Sequence, residues 1–395
     1  MYSLYNYFLN RKWSGPVWGT AFRFGLRLRA AFHAARDLQG SLFSRAPRAP
    51  VHGEAALRKI LIVRIDRVGD IVLSTPALRA LRRALPDAEI DYLVQAKYSG
   101  LLNNYAGWTR AIGWKDIDDA SERARLSEQL RAHGYDAAII GSTATAGYRL
   151  AREAGIPVRI GWRAKGFGHT LTAALRDDRA TADRHQVENN LRLLEPLGIT
   201  DPHPVFPGIE TESGKAQRAR FLAEHGIAPE EKILVLHPGS FSPRVRWAPE
   251  KFAELAERAA EAGMRIVLLG SGATERDLVG HIWDLSGRRA VKALDAFDLE
   301  GLFSFLAHTQ VFVGNSTGPM HVAASAGAWT IAVFGSRYPL DRHELWRPWG
   351  PKGIVIESKT ATCCGMPWTC RDMPCLREIP AQQVWDAVQG AWTGS

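Results

Sequence analysis

The chain has 395 residues, room for two domains of ordinary size, and its 46% hydrophobic and 23% charged residues suit a globular protein. No run of about 18 apolar residues is present, which excludes an evident transmembrane helix, and the N-terminus lacks the apolar core and small-residue cleavage site of a secretory signal, so a cytoplasmic protein is the default expectation. The net charge of +9 is uneven: residues 1–50 hold eight Lys and Arg against one acid, Asp37, which leaves a near-neutral bulk and excludes a basic nucleic-acid binder.

Residues 1–57 read as a basic, aromatic arm and linker. Tyr2, Tyr5, Tyr7, Phe8, Trp13 and Trp18 precede a Pro-free stretch, Thr20 to Leu38, that mixes Phe and Leu with Arg. An amphipathic helix lying on an anionic membrane surface has this composition. A tail packed on its own domain or on a partner chain, or left disordered, has it as well. Arg45 to Pro50 reads as the linker.

Residues 58–205 alternate strand and helix patterns. Lys59 to Ile65 is a β-branched apolar run, a buried parallel strand. The turn Asp66, Arg67, Val68, Gly69 and Asp70 follows, and then a helix over Ile71 to Leu85 with Pro76 in its early part. Strands are expected at Glu89 to Val94, Asp136 to Gly141 and Val158 to Gly161, and helices at Ser121 to His133 and Thr145 to Ala154. A helix opening at Arg184-His185-Gln186 runs on to Gly198, and Asp201 to Pro207 reads as a connection. Such alternation implies a parallel sheet whose ligands bind at the carboxyl ends of its strands. Asp70, behind Gly69 at a helix start, is either an N-terminal helix charge or a general base, and Asp66 and Arg67 could pair and position it.

Residues 206–355 repeat the pattern. Lys232 to Leu236 is a strand ending in His237-Pro238-Gly239-Ser240, with Arg244, Arg246 and Trp247 beyond it. A helix from Pro249 ends at Gly263, a strand runs from Arg265 to Leu269, and Glu275 stands in the first turn of the helix after Gly270-Ser271-Gly272. Asp298 to Ala307 is a helix and Thr330 to Phe334 a strand. Between them, Gln310 to Val313 is a strand that Gly314 and Asn315 are expected to break. Ser316 and Thr317 are N-cap candidates, and Gly318 and Pro319 open a small-residue helix that Gly327 ends. That geometry aims backbone N–H groups and a helix dipole at one point, which suits a phosphate. An ordinary strand-to-helix connection looks the same. Three polar turns on one edge, at 237–246, 270–275 and 314–317, favour a phosphate-bearing ligand.

Residues 356–395 hold Cys363, Cys364, Cys370 and Cys375, all the cysteines of the chain, and a final helix over Gln383 to Trp392 behind Pro380. Their spacing fits a metal site poorly, so free or locally structural thiols are expected ahead of a structural metal.

As a set, RIDRVGDIVLSTPALRALRRALPDAEIDYLV (64–94), HQVENNLRLLEPLG (185–198), HPGS…RW (237–247), LLGSGATERD (268–277) and GNSTGPMHVAASAG (314–327) resemble glycosyltransferase family 9, the heptosyltransferase family of lipopolysaccharide assembly, over about residues 58–392. The resemblance implies an α/β, GT-B fold: two Rossmann-like parallel-sheet domains facing across a cleft, the first taking the acceptor and the second the nucleotide sugar, with the last helix crossing back to the first domain. It implies an inverting, metal-independent transferase with no cofactor and an ADP-sugar donor. Asp70 matches the general base, Glu275 the ribose-holding position and His321 a position near the diphosphate, or else His321 is a satisfied core histidine. Ser240, Arg244 or Arg246, and the Ser316–Gly318 helix start would stabilise the leaving phosphate. The expected partners are a nucleotide sugar, a glycolipid or glycan acceptor and, through residues 1–50, an anionic membrane surface.

Two positions depart from the family pattern: Ser316 stands where heptosyltransferases carry Asp, and Val245 where they carry Lys. The donor could therefore be a heptose, a hexose or another sugar, and a non-catalytic nucleotide-sugar or glycan-binding protein of the same fold is a rival. A nicotinamide oxidoreductase is disfavoured because 65–70 reads IDRVGD rather than G-x-G-x-x-G.

Overall fold

A computed structural model describes residues 57–99, 107–163, 166–206, 208, 210–240, 245–335, 340–358 and 374–394. The expectations for the basic arm, for Arg244 and for Cys363, Cys364 and Cys370 lie outside the described residues.

The first half holds β1 (Lys59–Val63), α1 (Val68–Ala84), β2 (Glu89–Gln95), β3 (Arg110–Trp114), α2 (Ala120–His133), β4 (Ala137–Ile140), α3 (Thr145–Glu153), β5 (Val158–Arg163), β6 (Ala173–Arg176) and α4 (Gln186–Arg192). The second holds α5 (Glu212–Glu224), β7 (Ile233–His237), α6 (Pro249–Glu261), β8 (Arg265–Gly270), α7 (Gly272–Leu285), β9 (Val291–Leu294), α8 (Leu299–Ala307), β10 (Val311–Asn315), α9 (Gly318–Ala326), β11 (Trp329–Phe334), α10 (His343–Trp346), β12 (Gly353–Glu357), α11 (Pro374–Arg377) and α12 (Ala381–Thr393).

The two sheets run β3-β2-β1-β4-β5-β6 and β12-β11-β10-β7-β8-β9, and every pairing is parallel. Both have the same doubly wound order. The order reverses between β1 and β4 in the first sheet and between β7 and β10 in the second. Chains leaving neighbouring strands at such a point diverge and open a crevice at the carboxyl edge.

Local chemistry explains the elements. Ile60, Leu61 and Val63 of β1 are wholly buried, as a central parallel strand requires. Pro76 has no N–H for the Val72 carbonyl, and the Thr75 hydroxyl donates to that carbonyl at 2.8 Å, so α1 continues through the proline. Asp119 caps α2 and Gly134, in the left-handed region, ends it. His185 and Glu188 form a capping box at the start of α4.

One apolar core runs from the first sheet through α1 (Ile71, Leu78, Leu81) to α9 and the second sheet (Met320, Val322, Val235, Phe312). The other face of the first sheet packs on α2 and α3, and that of the second on α6 and α12.

Two expectations are corrected. Gly314 and Asn315 do not break the strand; β10 includes both, because a side chain at 314 would meet Phe312 and the His237 carbonyl, and Asn315 is tied to the neighbouring strand end. The last helix, α12, lies in the second core with Val384, Trp385 and Val388 against β10, β11 and β12 instead of crossing to the first domain. Strands β3, β6, β9 and β12 and helix α5 were not foreseen. Cys375 is buried in the second core.

Candidate active site

The site forms where the two switch points meet. Helices α1 and α9 touch at their N-termini: a Cβ on Gly69 would lie 2.8 Å from Cδ2 of His321 and 3.5 Å from Cα of Gly318, and one on Gly318 would collide with Val68. Glycine at both positions permits this approach. The expected acid turn of the first domain and the expected anion turn of the second are therefore neighbours.

On the first side, Asp70 sits inside α1, in its first turn, rather than in the preceding loop. Burial, the largest influence, raises its carboxyl from 3.8 to about 6; the Arg64 guanidinium opposes this, the Asp66 charge adds to it, and the Arg67 backbone N–H and charge lower it. Arg64, which is 2% exposed, donates to the Asp70 backbone carbonyl at 3.2 Å and to Oδ1 of Asp70 at 3.3 Å. Asp66 accepts the Ser142 hydroxyl at 2.9 Å and lies 3.6 Å from Arg64. Arg64, a charged residue within an apolar run, thus pairs with both acids of the turn. The Arg67 charge acts on Asp341 as well, whose carboxyl burial pushes up and the Arg67 charge pulls down.

On the second side, Thr317 is the N-cap residue of α9, yet its side chain makes no cap bond; its hydroxyl donates to the Asn315 carbonyl at 3.3 Å and meets Nδ1 of His237 at 3.4 Å. Among the described residues, the first turn of α9 thus keeps backbone N–H groups uncapped by side chains, in a helix end whose dipole favours an anion. Asn315 is wholly buried and holds the two strand ends together, donating to the Pro238 and Gly239 carbonyls and accepting the Trp247 N–H at 2.8 Å. Arg246 donates to the Ser240 hydroxyl at 3.3 Å and to its carbonyl at 3.2 Å, placing a half-buried cation at the turn.

Glu275, in the first turn of α7, accepts the Ser271 N–H at 2.9 Å and lies 3.5 Å from Nε2 of His237. Burial opposes its charge, but His237, the Ser271 N–H and Arg246 outweigh that and lower its carboxyl. Glu275 lies directly over Gly239, where any Cβ would overlap its carboxylate.

His321 is buried and its Nδ1 has no hydrogen-bond partner among the described residues. Burial, aided by His185, pushes it down to about 3, so it is neutral at physiological pH and contributes no cation. It fits neither a satisfied core histidine nor a charged phosphate ligand. Ser316 is half-buried beside the same helix start and offers a hydroxyl.

The structure therefore gathers Asp66, Arg67, Gly69, Asp70, Ser240, Arg246, Glu275, Thr317, Gly318 and His321 around one junction, with Ser316 next to it in the chain. Sequence reasoning missed Arg64, Ser142, His237, Asn315 and Asp341. The charge within KILIVRI and the His of HPGS were the available signals. Among the described residues one group, Glu89, Asp91 and His133, has metal-donor atoms within 4.8 Å of one another. It lies at the opposite edge of the first sheet, where Arg110 at 2.7 Å and Tyr135 already hold Asp91.

Comparisons with known proteins bear on the family and the fold. The family model for glycosyltransferase family 9 (heptosyltransferase) matches residues 123–371. Lipopolysaccharide heptosyltransferase 2 of Salmonella typhimurium is 25% identical over 307 residues, which span 71% of this chain and 84% of that protein. A family 9 glycosyltransferase structure from Veillonella parvula superposes with a TM-score of 0.78 at 23% identity, covering 88% of this chain and all of that one. The structure of the Escherichia coli ADP-heptose lipopolysaccharide heptosyltransferase II does so at 0.71 and 22%, covering 85% and 99%. These likenesses bear out the expected GT-B fold.

Proposed function

The chain belongs to glycosyltransferase family 9, and from that premise we propose that it is an inverting transferase that carries a sugar, heptose from ADP-heptose, to a lipopolysaccharide core or related cell-surface glycan, with Asp70 as general base. The observation that carries this reading is the junction itself: a carboxyl raised to about 6 stands in the first turn of α1, against the uncapped start of α9.

In the reaction the acceptor hydroxyl gives its proton to the Asp70 carboxylate as its oxygen attacks the anomeric carbon. The bond from that carbon to the diphosphate breaks on the opposite face, and ADP leaves with the electron pair. A base with a pKa near the working pH is ionised enough to accept the proton and basic enough to pull on it. Negative charge grows on the leaving phosphate, where the start of α9, the Ser240 hydroxyl and Arg246 stabilise it. Glu275, held ionised beside His237, takes the ribose hydroxyls. No metal ion or cofactor enters this scheme. Residues 1–50 would hold the enzyme to the inner face of the cytoplasmic membrane; no helix among the described residues is long and apolar enough to cross one.

Ser316 supports a second reading, a family 9 transferase with a different nucleotide sugar, because a hydroxyl here replaces the acid expected to contact the donor sugar. Calorimetric titration with ADP, UDP, GDP and CDP separates the two. Selective ADP binding supports the first; preference for another nucleotide supports the second; binding of none contradicts both.

A further inference from the structure

We propose that Arg64 is a positioning residue for this transfer: it locks the base turn of α1 to the end of β4 and so fixes the Asp70 carboxylate against the donor site. The proposal rests on the reading of Asp70 as the base.

Arg64 ties together two separate pieces of chain, the 66–70 turn and the end of β4. Its Nε reaches the Asp70 backbone carbonyl at 3.2 Å and one terminal nitrogen reaches Oδ1 of Asp70 at 3.3 Å, so both ends of the same residue are held by one rigid planar group. The other terminal nitrogen donates to the Gly141 carbonyl, just past β4, and lies 3.6 Å from Asp66. Asp66 is in turn fixed by the Ser142 hydroxyl. A guanidinium therefore bridges the two chain segments at the switch point of the first sheet.

The surroundings are built for this side chain. Gly141 is not in the left-handed region, so its backbone does not call for glycine; the space does. A Cβ there would lie 2.8 Å from a terminal nitrogen of Arg64 and 3.3 Å from its Cδ. An ordinary buried salt bridge would need neither the glycine nor the bond to a backbone carbonyl. A lysine could supply the charge but not several fixed donors at once.

The charged and titratable groups around Asp70 are Arg64, Asp66 and Arg67 on its own turn, Tyr92 on β2, Arg179 ahead of α4 and His321 on α9. Tyr92 is pushed up to about 12 by burial and stays neutral, and His321 is neutral as well. Arg64 is the cation that acts most strongly on the Asp70 carboxyl.

Three variants test the role. Arg64→Lys keeps the charge and loses the fixed geometry. Arg64→Met loses both. Gly141→Ala leaves Arg64 and Asp70 chemically intact but displaces the guanidinium. Each is assayed with ADP-heptose and a heptose-deficient lipopolysaccharide, with kcat and KM followed across pH 5 to 9. ADP affinity is measured by calorimetry, and the Asp70 carboxyl is titrated by carbon NMR in the full chain, assigned with Asp70→Asn.

Arg64→Lys and Gly141→Ala are expected to lower kcat roughly 10- to 100-fold, the effect of a base misplaced by an ångström, with ADP affinity unchanged. In Arg64→Lys the acid limb of the profile should stay near that of the wild type. Arg64→Met should lose at least as much and move both the limb and the Asp70 titration to higher pH. Wild-type kcat in Arg64→Lys and Gly141→Ala would overturn positioning and leave only a charge effect. Weakened ADP binding in parallel with kcat would show a general structural defect and overturn it also. A wild-type profile without an acid limb, or full activity in Asp70→Asn, would instead refute the base assignment.

Discussion

Asp70 is placed where it destabilises the fold it serves, and replacing it makes that cost measurable. Its side chain is 24% exposed, and burial raises its carboxyl from 3.8 to about 6. At about 1.4 kcal/mol per pH unit, the native state disfavours the ionised carboxylate by on the order of 3 kcal/mol. The sign follows from the direction. The native state holds this proton more tightly than the unfolded chain, so the stability is fully present below about pH 4 and is lost as pH rises through about 6. Asp70→Asn cannot ionise and escapes the loss. It should melt close to the wild type at pH 4 and above it at pH 8. For a domain of 150–250 residues that energy corresponds to roughly 6–12 °C in the melting temperature of the first domain. The assay is differential scanning calorimetry of both proteins across pH 4 to 8. A difference that stays flat over this range, or a variant less stable than the wild type at pH 8, would refute the claim that burial sets the base.

Other consequences are independent of Asp70. Asn315→Ala strips the Trp247 N–H and the Pro238 and Gly239 carbonyls of a wholly buried partner, and should destabilise the second domain by about 2–4 kcal/mol in urea melts; a loss under 1 kcal/mol would show that the strand ends hold without it. Gly239→Ala drives a Cβ into the Glu275 carboxylate and should weaken ADP binding about tenfold or more by calorimetry while the Asp70 titration stays put; unchanged affinity would remove Glu275 from the nucleotide site. Removal of residues 1–50 should leave turnover of soluble substrates intact and reduce sedimentation with anionic vesicles, and unchanged sedimentation would refute the membrane role.

The central strands and the two key turns were readable because their signals are local. Lys59 to Val63 and Ile233 to His237 are continuous apolar runs, and Gly69-Asp70 and Thr317-Gly318-Pro319 are turn and cap chemistry written in adjacent residues. The edge strands were not readable in the same way. Arg110–Trp114 buries only its last residue, and Ala173–Arg176 only its first, so neither has a run or a clean alternation. Helix α5 hides because it buries only Gly214, Phe221 and Leu222.

The parts of the site that sequence reading missed depend on distance along the chain. Arg64 sits in an apolar run, and its meaning comes from Gly141, 77 residues on. Asn315 looked like a strand breaker because its composition favours turns, whereas its partners Pro238 and Gly239 lie 77 and 76 residues before it. Arg64 joins Arg67 in acting on Asp70 because its side chain turns back toward α1 from the end of β1.

Transfer through Asp70 is tested most directly by turnover of the wild type and of Asp70→Asn, supplied with ADP-heptose and a heptose-deficient lipopolysaccharide and followed by ADP release and by mass spectrometry of the glycolipid. The wild type is expected to give a heptosylated product, and Asp70→Asn to keep its affinity for ADP with turnover lower by about 10²–10⁴-fold. Equal turnover by the two proteins, or no sugar transferred by the wild type, would contradict transfer through Asp70.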